Sequence, residues 1–393
     1  MFSDRPIVFL ALGQTLIWAG IYYIFPALLL RWEQELGWSK IDLTAAITLA
    51  VLISGLCAPL AGSIIDKGRG PMLLAGSAAL GGLGLLLLAL VTALWQFYAV
   101  WAIIGLAMSG CLYEPCFALV TRARGKHAKR GIVFITLAAG FASTISYPVM
   151  YSLAEAIGWR AATVVFGVAV IMIVAPVLWL GASGLEVSRT GKDTSSVLRT
   201  EPRSDFLRKP EFWFLAIGFA FAALAHGATL HHLLPILNER GLSDEMAVLA
   251  ASFIGPMQVS GRLAMMVSEK YTSHHGVAIT AFIMMGLSIA MLLISGTSPA
   301  FLSAFVIFFG GAYGTVSILR PLIARDILGQ QNFGAKSGAL ALPYLAGAAT
   351  APYLGSVVWG IGGYSLMLNI LIGCIAMGGG LYLVANQIAR KRP

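Results

Sequence analysis

Charge is scarce in this chain, with Asp, Glu, Lys and Arg together making up 11% of its 393 residues. A soluble domain carries roughly 25%, so these side chains cannot cover a water-facing surface, and a lipid-facing one is expected instead. Cysteine is scarce too. Cys57, Cys111, Cys116 and Cys374 lie in apolar runs without CxxC spacing, which excludes a disulfide framework and a cysteine metal site. No N-x-[ST] sequon occurs. A cleavable signal peptide is not expected, because the first apolar run, 7–30, is too long for one and lacks a small-residue cleavage site. Nucleophile–base pairs and metal-ligand spacings are also lacking, so neither an enzyme nor a cofactor protein is expected.

What is present is apolar: 58% of the residues are hydrophobic. About 20 apolar residues span the hydrocarbon core. Runs of that length fall near 7–30, 42–65, 71–93, 95–121, 131–156 and 161–181, and again near 211–236, 246–267, 277–295, 300–323, 338–360 and 365–388. The expectation is an all-α membrane protein of 12 transmembrane helices in two six-helix bundles. Residues 1–181 form the first, 211–393 the second, and the polar stretch 182–210 a cytoplasmic linker.

The net charge of +9 suggests nucleic acid until the charges are placed. With the N-terminus inside, the cytoplasmic side collects Arg5, Lys67, Arg69, Arg122, Arg124, Lys126, Lys129, Arg130, the linker cations, Lys270, Arg325, Lys336 and Arg390 to Arg392. The opposite side has Arg31, Lys40, Arg160 and Arg240. This is a positive-inside pattern, so topology explains the charge and a nucleic-acid partner is not expected. Both termini are expected in the cytoplasm, with the protein in a cell inner membrane. Trp32, Trp38, Trp95, Trp159, Trp179 and Trp213 fall near run ends, where an aromatic belt is expected.

The two halves repeat. Leu29, Leu30, Gly37, Ser39, Gly110, Pro148, Ser152, Ile157 and Gly158 recur 204 positions later as Leu233, Leu234, Gly241, Ser243, Gly314, Pro352, Ser356, Ile361 and Gly362. Parallel six-plus-six repeats point to two pseudo-symmetric bundles with a ligand site between them near the midplane. That is the plan of a carrier rather than a pore.

The segment Gly62-Ser-Ile-Ile-Asp66-Lys67-Gly68-Arg69-Gly70 resembles the G-x-x-x-D-[RK]-x-G-[RK] loop of the major facilitator superfamily, with Arg at 69 where that loop has its second glycine. The resemblance covers essentially the whole chain. It implies the major facilitator fold and a gating role for Gly62, Asp66, Lys67, Arg69 and Arg122, with Asp66 paired to Arg122 or Arg124. Within the superfamily, Leu36-Gly37-Trp38-Ser39, Gly158-Trp159-Arg160 and Ile254-Gly-Pro-Met-Gln258-Val-Ser-Gly-Arg262 resemble the monocarboxylate transporter and oxalate–formate exchanger branch. In that branch an acid stands four residues before the arginine, where this chain has Gln258.

Ionisable groups at membrane depth are expensive and mark functional positions. A guanidinium suits a carboxylate bidentately, and the resemblance implies that Arg262 grips a substrate carboxylate, with Gln258 one turn away. Arg320 is a second candidate anion contact, and snorkelling to the surface stays open for both arginines. Glu114, in Tyr113-Glu114-Pro115, is a candidate proton-coupling acid or a partner of Arg320 or Arg262, and Pro115 is expected to bend its helix. The resemblance points to Tyr113 and Tyr313 among the phenols (Tyr22, Tyr23, Tyr113, Tyr147, Tyr313, Tyr344) as pocket hydroxyls. For His226, His231 and His232, hydrogen-bonded packing and a proton relay are both open.

The combined expectation is a monomeric secondary carrier of a small organic anion, a mono- or dicarboxylate, by proton symport or anion exchange. The alternative is an efflux carrier for amphipathic drugs or another uncharged solute.

Overall fold

Helices apolar on every face have nowhere to go but a lipid-facing bundle. The computed structural model describes residues 4–187, 204–268, 271–296, 298–329 and 333–390. Most of the segment expected as a linker, 188–203, therefore lies outside the described residues. The described residues fall into two compact units.

The first unit contains α1 (Arg5–Leu36), α2 (Lys40–Asp66), α3 (Gly70–Leu88), α4 (Leu94–Arg124), α5 (128–157) and α6 (159–187). The last two run on as one stretch, Ala128–Val187, broken at Gly158 by a φ of 79° that only glycine adopts cheaply. The second unit contains α7 (Pro210–Glu239), α8 (Asp244–Ser268), α9 (His274–Ile294), α10 (Pro299–Leu328), α11 (333–361) and α12 (364–390). Residues Ser243–Gly255, the opening of α8, group with the first unit. The break between α11 and α12 falls at Gly362–Gly363. Among the described residues this agrees with twelve crossings.

The repeat read from the sequence is a repeat of structure. Gly37 ends α1 at φ 68° and Gly241 follows α7 at φ 81°. Ser39 Oγ accepts from Asp42 N at 3.1 Å, and Ser243 Oγ from Met246 N at 3.4 Å, so both next helices start on the same serine. The breaks at Gly158 and Gly362 stand 204 residues apart. The packing partners repeat as well. A Cβ at Gly105 of α4 would overlap the backbone of Ala50 in α2, and one at Gly261 of α8 the backbone of Gly311 in α10. Likewise Gly181 of α6 meets Leu10 of α1, and Gly378 of α12 meets Gly218 of α7. Small residues let backbones approach where no hydrophobic force drives helices together.

Two outcomes differ from expectation. Trp32 and Trp159 do not join a belt. They are buried with Phe25, Phe97 and Trp101 in an aromatic cluster with ring centroids 5.0–6.1 Å apart, whereas Trp95, Trp179 and Trp213 are exposed. The first unit also carries two π-helical turns that no sequence feature announced, Trp18–Tyr22 in α1 and Val170–Val174 in α6. They touch, since a Cβ at Gly20 would fall 2.8 Å from Val170 Cγ2.

The four basic residues on the sparse side are all engaged. Arg31 pairs with Glu155, and Lys40 with Glu33 at 3.0 Å. Arg160 donates to the carbonyls of Ala89 and Val91 at 2.9 and 2.8 Å, and Arg240 to those of Leu292 and Leu293. The last two cap the ends of α3 and α9, where carbonyls lack helical donors.

Candidate functional site

In the first unit the decisive residue is Pro115. It has no N–H to return to the carbonyl four residues back, and α4 breaks at Leu112, whose ψ is −159°, before restarting at Tyr113. The orphaned carbonyl is that of Cys111, and Gln14 Nε2 of α1, fully buried, donates to it at 2.8 Å. Gln14 escaped the sequence reading because a lone glutamine in an apolar run carries no charge to flag it. Its dependence on Pro115 is testable. Gln14→Leu is expected to cost about 1–3 kcal/mol through the orphaned carbonyl, and much less when Pro115→Ala restores a helical donor. Unfolding temperatures of the four proteins read that coupling, and additive losses would refute it.

Glu114 stands in the first turn of the restarted segment, exposed, where helix N-termini favour carboxylates. It makes no ion pair among the described residues of its unit. Tyr113 is half-buried, stacked on Phe117 at 4.9 Å and set against Trp18 at 4.8 Å, and Trp18 in turn meets Tyr22 at 4.9 Å. The π-helical turn of α1 thus lines one side of an aromatic wall.

The loop after α2 departs from the expected pairing. Asp66, Lys67 and Arg69 are exposed, and nothing lies within 4 Å of where a Cβ at Gly62 would sit. Gly68 takes φ 79° to make the turn, and its bare backbone, not the Asp66 carboxylate, comes up to the Arg122 guanidinium. Arg122 pairs with Glu186 of α6 at 2.6 Å, and Arg124 with Asp4 at 2.8 Å. Glu186 was passed over because it sits in a chain segment with no motif.

In the second unit, Arg262 is 4% exposed, so it does not snorkel. Its Nε donates to the carbonyl of Gly314 at 3.2 Å, which fixes the guanidinium plane against α10. The approach is close because Gly314 lies on the backbone of Gln258. Gln258 is itself buried, and among the described residues its Nε2 has no hydrogen-bond partner.

Arg320 and Tyr313 come together around Tyr344 of α11. The Arg320 guanidinium carbon lies 4.1 Å over the Tyr344 ring, a cation–π stack, and the hydroxyls of Tyr313 and Tyr344 are 3.2 Å apart. Among the described residues no carboxylate pairs with Arg320. His226 joins from α7, its ring stacked on Tyr313 at 3.2 Å and 2° and on Phe309 at 4.8 Å. His231 and His232 are held differently. His231 Nδ1 bonds the Gly227 carbonyl at 2.8 Å, and His232 bonds the Pro352 carbonyl at 2.9 Å and the Tyr364 hydroxyl at 3.3 Å.

A family model described as Major Facilitator Superfamily matches residues 10–352. Monocarboxylate transporter 12 of Xenopus laevis is 24% identical over 332 residues, covering 76% of this chain and 71% of that protein. Multidrug resistance protein MdtH of Proteus mirabilis (strain HI4320) is 31% identical over 108 residues, 27% of this chain and 26% of that one. The crystal structure of nucleoside transporter NupG matches with a TM-score of 0.72 at 12% identity, over 100% of both chains. A bacterial homolog to human lysosomal transporter Spinster, inward-facing and unoccupied, matches with a TM-score of 0.70 at 16% identity, over 99% and 98%. At these identities the two structures speak to fold alone.

Proposed function

Because the chain belongs to the major facilitator superfamily, and is on that account a membrane transporter and not an enzyme, we propose that it carries a small organic anion. The class is a mono- or dicarboxylate, moved by alternating access with proton symport or anion exchange. The observation that carries the reading is Arg320, an arginine within a span, stacked on Tyr344 and unpaired with any carboxylate among the described residues. An uncompensated cation at membrane depth is expensive, and an arriving carboxylate removes that cost while accepting two parallel N–H donors. Arg262 with Gln258 forms a second, more buried contact, Tyr113 and Tyr313 supply hydroxyls, and Glu114 is a candidate coupling acid. Gly62, Asp66, Lys67, Arg69 and Arg122 form the gate on the cytoplasmic side of an inner membrane, in a protein acting as a monomer with both termini cytoplasmic. The 24% identity to a protein named a monocarboxylate transporter supports the substrate class.

A second reading, efflux of an amphipathic or uncharged solute, draws on the aromatic wall of Trp18, Tyr22, Tyr113 and Phe117. Uptake of labelled pyruvate and succinate into proteoliposomes separates the two. Saturable uptake of either, strongly reduced in Arg262→Lys, is expected. Uptake of neither, with uptake of a neutral nucleoside or an aromatic cation, would replace the anion by the second reading.

A further inference from the structure

His226 is the most anomalous polar group in the second unit. It is 4% exposed, and among the described residues neither Nδ1 nor Nε2 has a hydrogen-bond partner. A neutral imidazole has one donor and one acceptor, and leaving each unmet in a dry shell costs on the order of 1–3 kcal/mol. Phenylalanine would fill the same slot between Phe309 and Tyr313 without that cost. A site that tolerates the imbalance is one where a further partner arrives.

We propose that His226 is the proton-binding site of this carrier, taking up one proton together with the anion held at Arg320. The inference rests on the anion reading given above. The titratable and charged groups about the ring are few. His231 lies further along α7 and acts on it electrostatically. Tyr313 of α10 stacks on it. Tyr344 of α11 follows through the phenol pair with Arg320 over its ring, and Arg262 of α8 is held to Gly314, the neighbour of Tyr313. Among the described residues no carboxylate interacts with His226.

A carboxylate on Arg320 brings negative charge to the far side of the Tyr313–Tyr344 pair on which His226 is stacked, and the proton then binds to a ring nitrogen. The face of Tyr313 steadies the imidazolium by a cation–π contact. Linkage makes the effect mutual, so the proton strengthens the anion as much as the anion strengthens the proton. A neutral imidazole offers a ring nitrogen that takes up a proton and leaves no standing charge when it is released.

The test uses the full-length protein in proteoliposomes with labelled pyruvate and succinate, comparing wild type, His226→Phe, His226→Gln and Glu114→Gln. One proton per anion makes wild-type apparent affinity rise up to about tenfold per unit of falling pH over roughly pH 6 to 8. His226→Phe removes two orphaned polar atoms, so it is expected to fold at least as well as wild type and still exchange anion for anion. Its affinity should be flat with pH, and anion uptake should no longer alkalinise the outside. His226→Gln should behave alike. A pH slope that survives in His226→Phe and vanishes in Glu114→Gln overturns the proposal and leaves the anion reading intact. Carboxylate uptake absent from wild type overturns the anion reading itself, and this inference with it.

Discussion

Replacing Arg320 with glutamine is expected to weaken carboxylate binding about 100-fold, toward the lower part of the range of about 2–5 kcal/mol for truncating one member of a buried charge pair, since the guanidinium is half-buried and each 1.4 kcal/mol is about tenfold. The geometry says why the loss should exceed that of an ordinary surface arginine. Tyr344 lies beneath the guanidinium at 4.1 Å and sets its plane before any ligand arrives, so little rotamer freedom remains to be lost on binding. Arg320→Lys keeps the charge but loses both the planar fork and the stack, and an intermediate loss, about tenfold, is expected of it. The unliganded glutamine variant should melt higher than wild type, since an unpaired charge has left the membrane. Calorimetric titration with pyruvate and succinate measures the first effect and a thermal melt the second. Equal affinity in wild type and Arg320→Gln would remove the anion site from this position.

The second large effect is on folding. Gly314→Ala is expected to prevent a stable second unit, because the new Cβ would lie within the backbone of Gln258. No side chain is available to swing aside, so α8 and α10 must separate, and forced overpacking costs about 1–3 kcal/mol even where neighbours can yield. Separation also takes the Gly314 carbonyl away from Arg262 Nε, so surviving protein should bind anion poorly. Gly373→Ala is the control, a glycine of α12 with open space where the Cβ would go. Fluorescence-detected gel filtration should give a single sharp peak for Gly373→Ala and aggregate for Gly314→Ala. A sharp peak for both would mean the helices are less closely set than described.

Much of this fold was legible in the residues, for a physical reason. Crossing a bilayer demands length and apolarity, and both are local properties of a run. Gly37 and Gly241, Ser39 and Ser243, and Gly158 and Gly362 announce turns, caps and breaks through their own backbone chemistry, so the repeat could be read from them. Pro115 likewise announced the break in α4. The site was legible only as a set of types. Helices that are apolar on all faces carry little phase, so the sequence does not say which way Trp32, Trp159 or Arg320 points. The partner of Arg122 was misassigned for the same reason. Asp66 lies in a recognisable loop while Glu186 does not, yet tertiary packing puts Glu186 beside the guanidinium. His226 looked like one packing histidine among three, and only the lack of hydrogen-bond partners on its ring nitrogens among the described residues separates it from His231 and His232.

The paired π-helical turns of α1 and α6 make the two duplicated halves unequal in backbone hydrogen bonding. A turn holding one residue too many leaves its carbonyls off register, and Ser146 Oγ already catches that of Ala19 at 2.8 Å. Single π-helical turns of this kind are rare and recur at functional sites. Among the described residues the second unit has no such turn. The duplication therefore keeps the caps, breaks and small-residue contacts but not the hydrogen-bond register, which the tyrosine-bearing α1 shifts and its counterpart α7 does not.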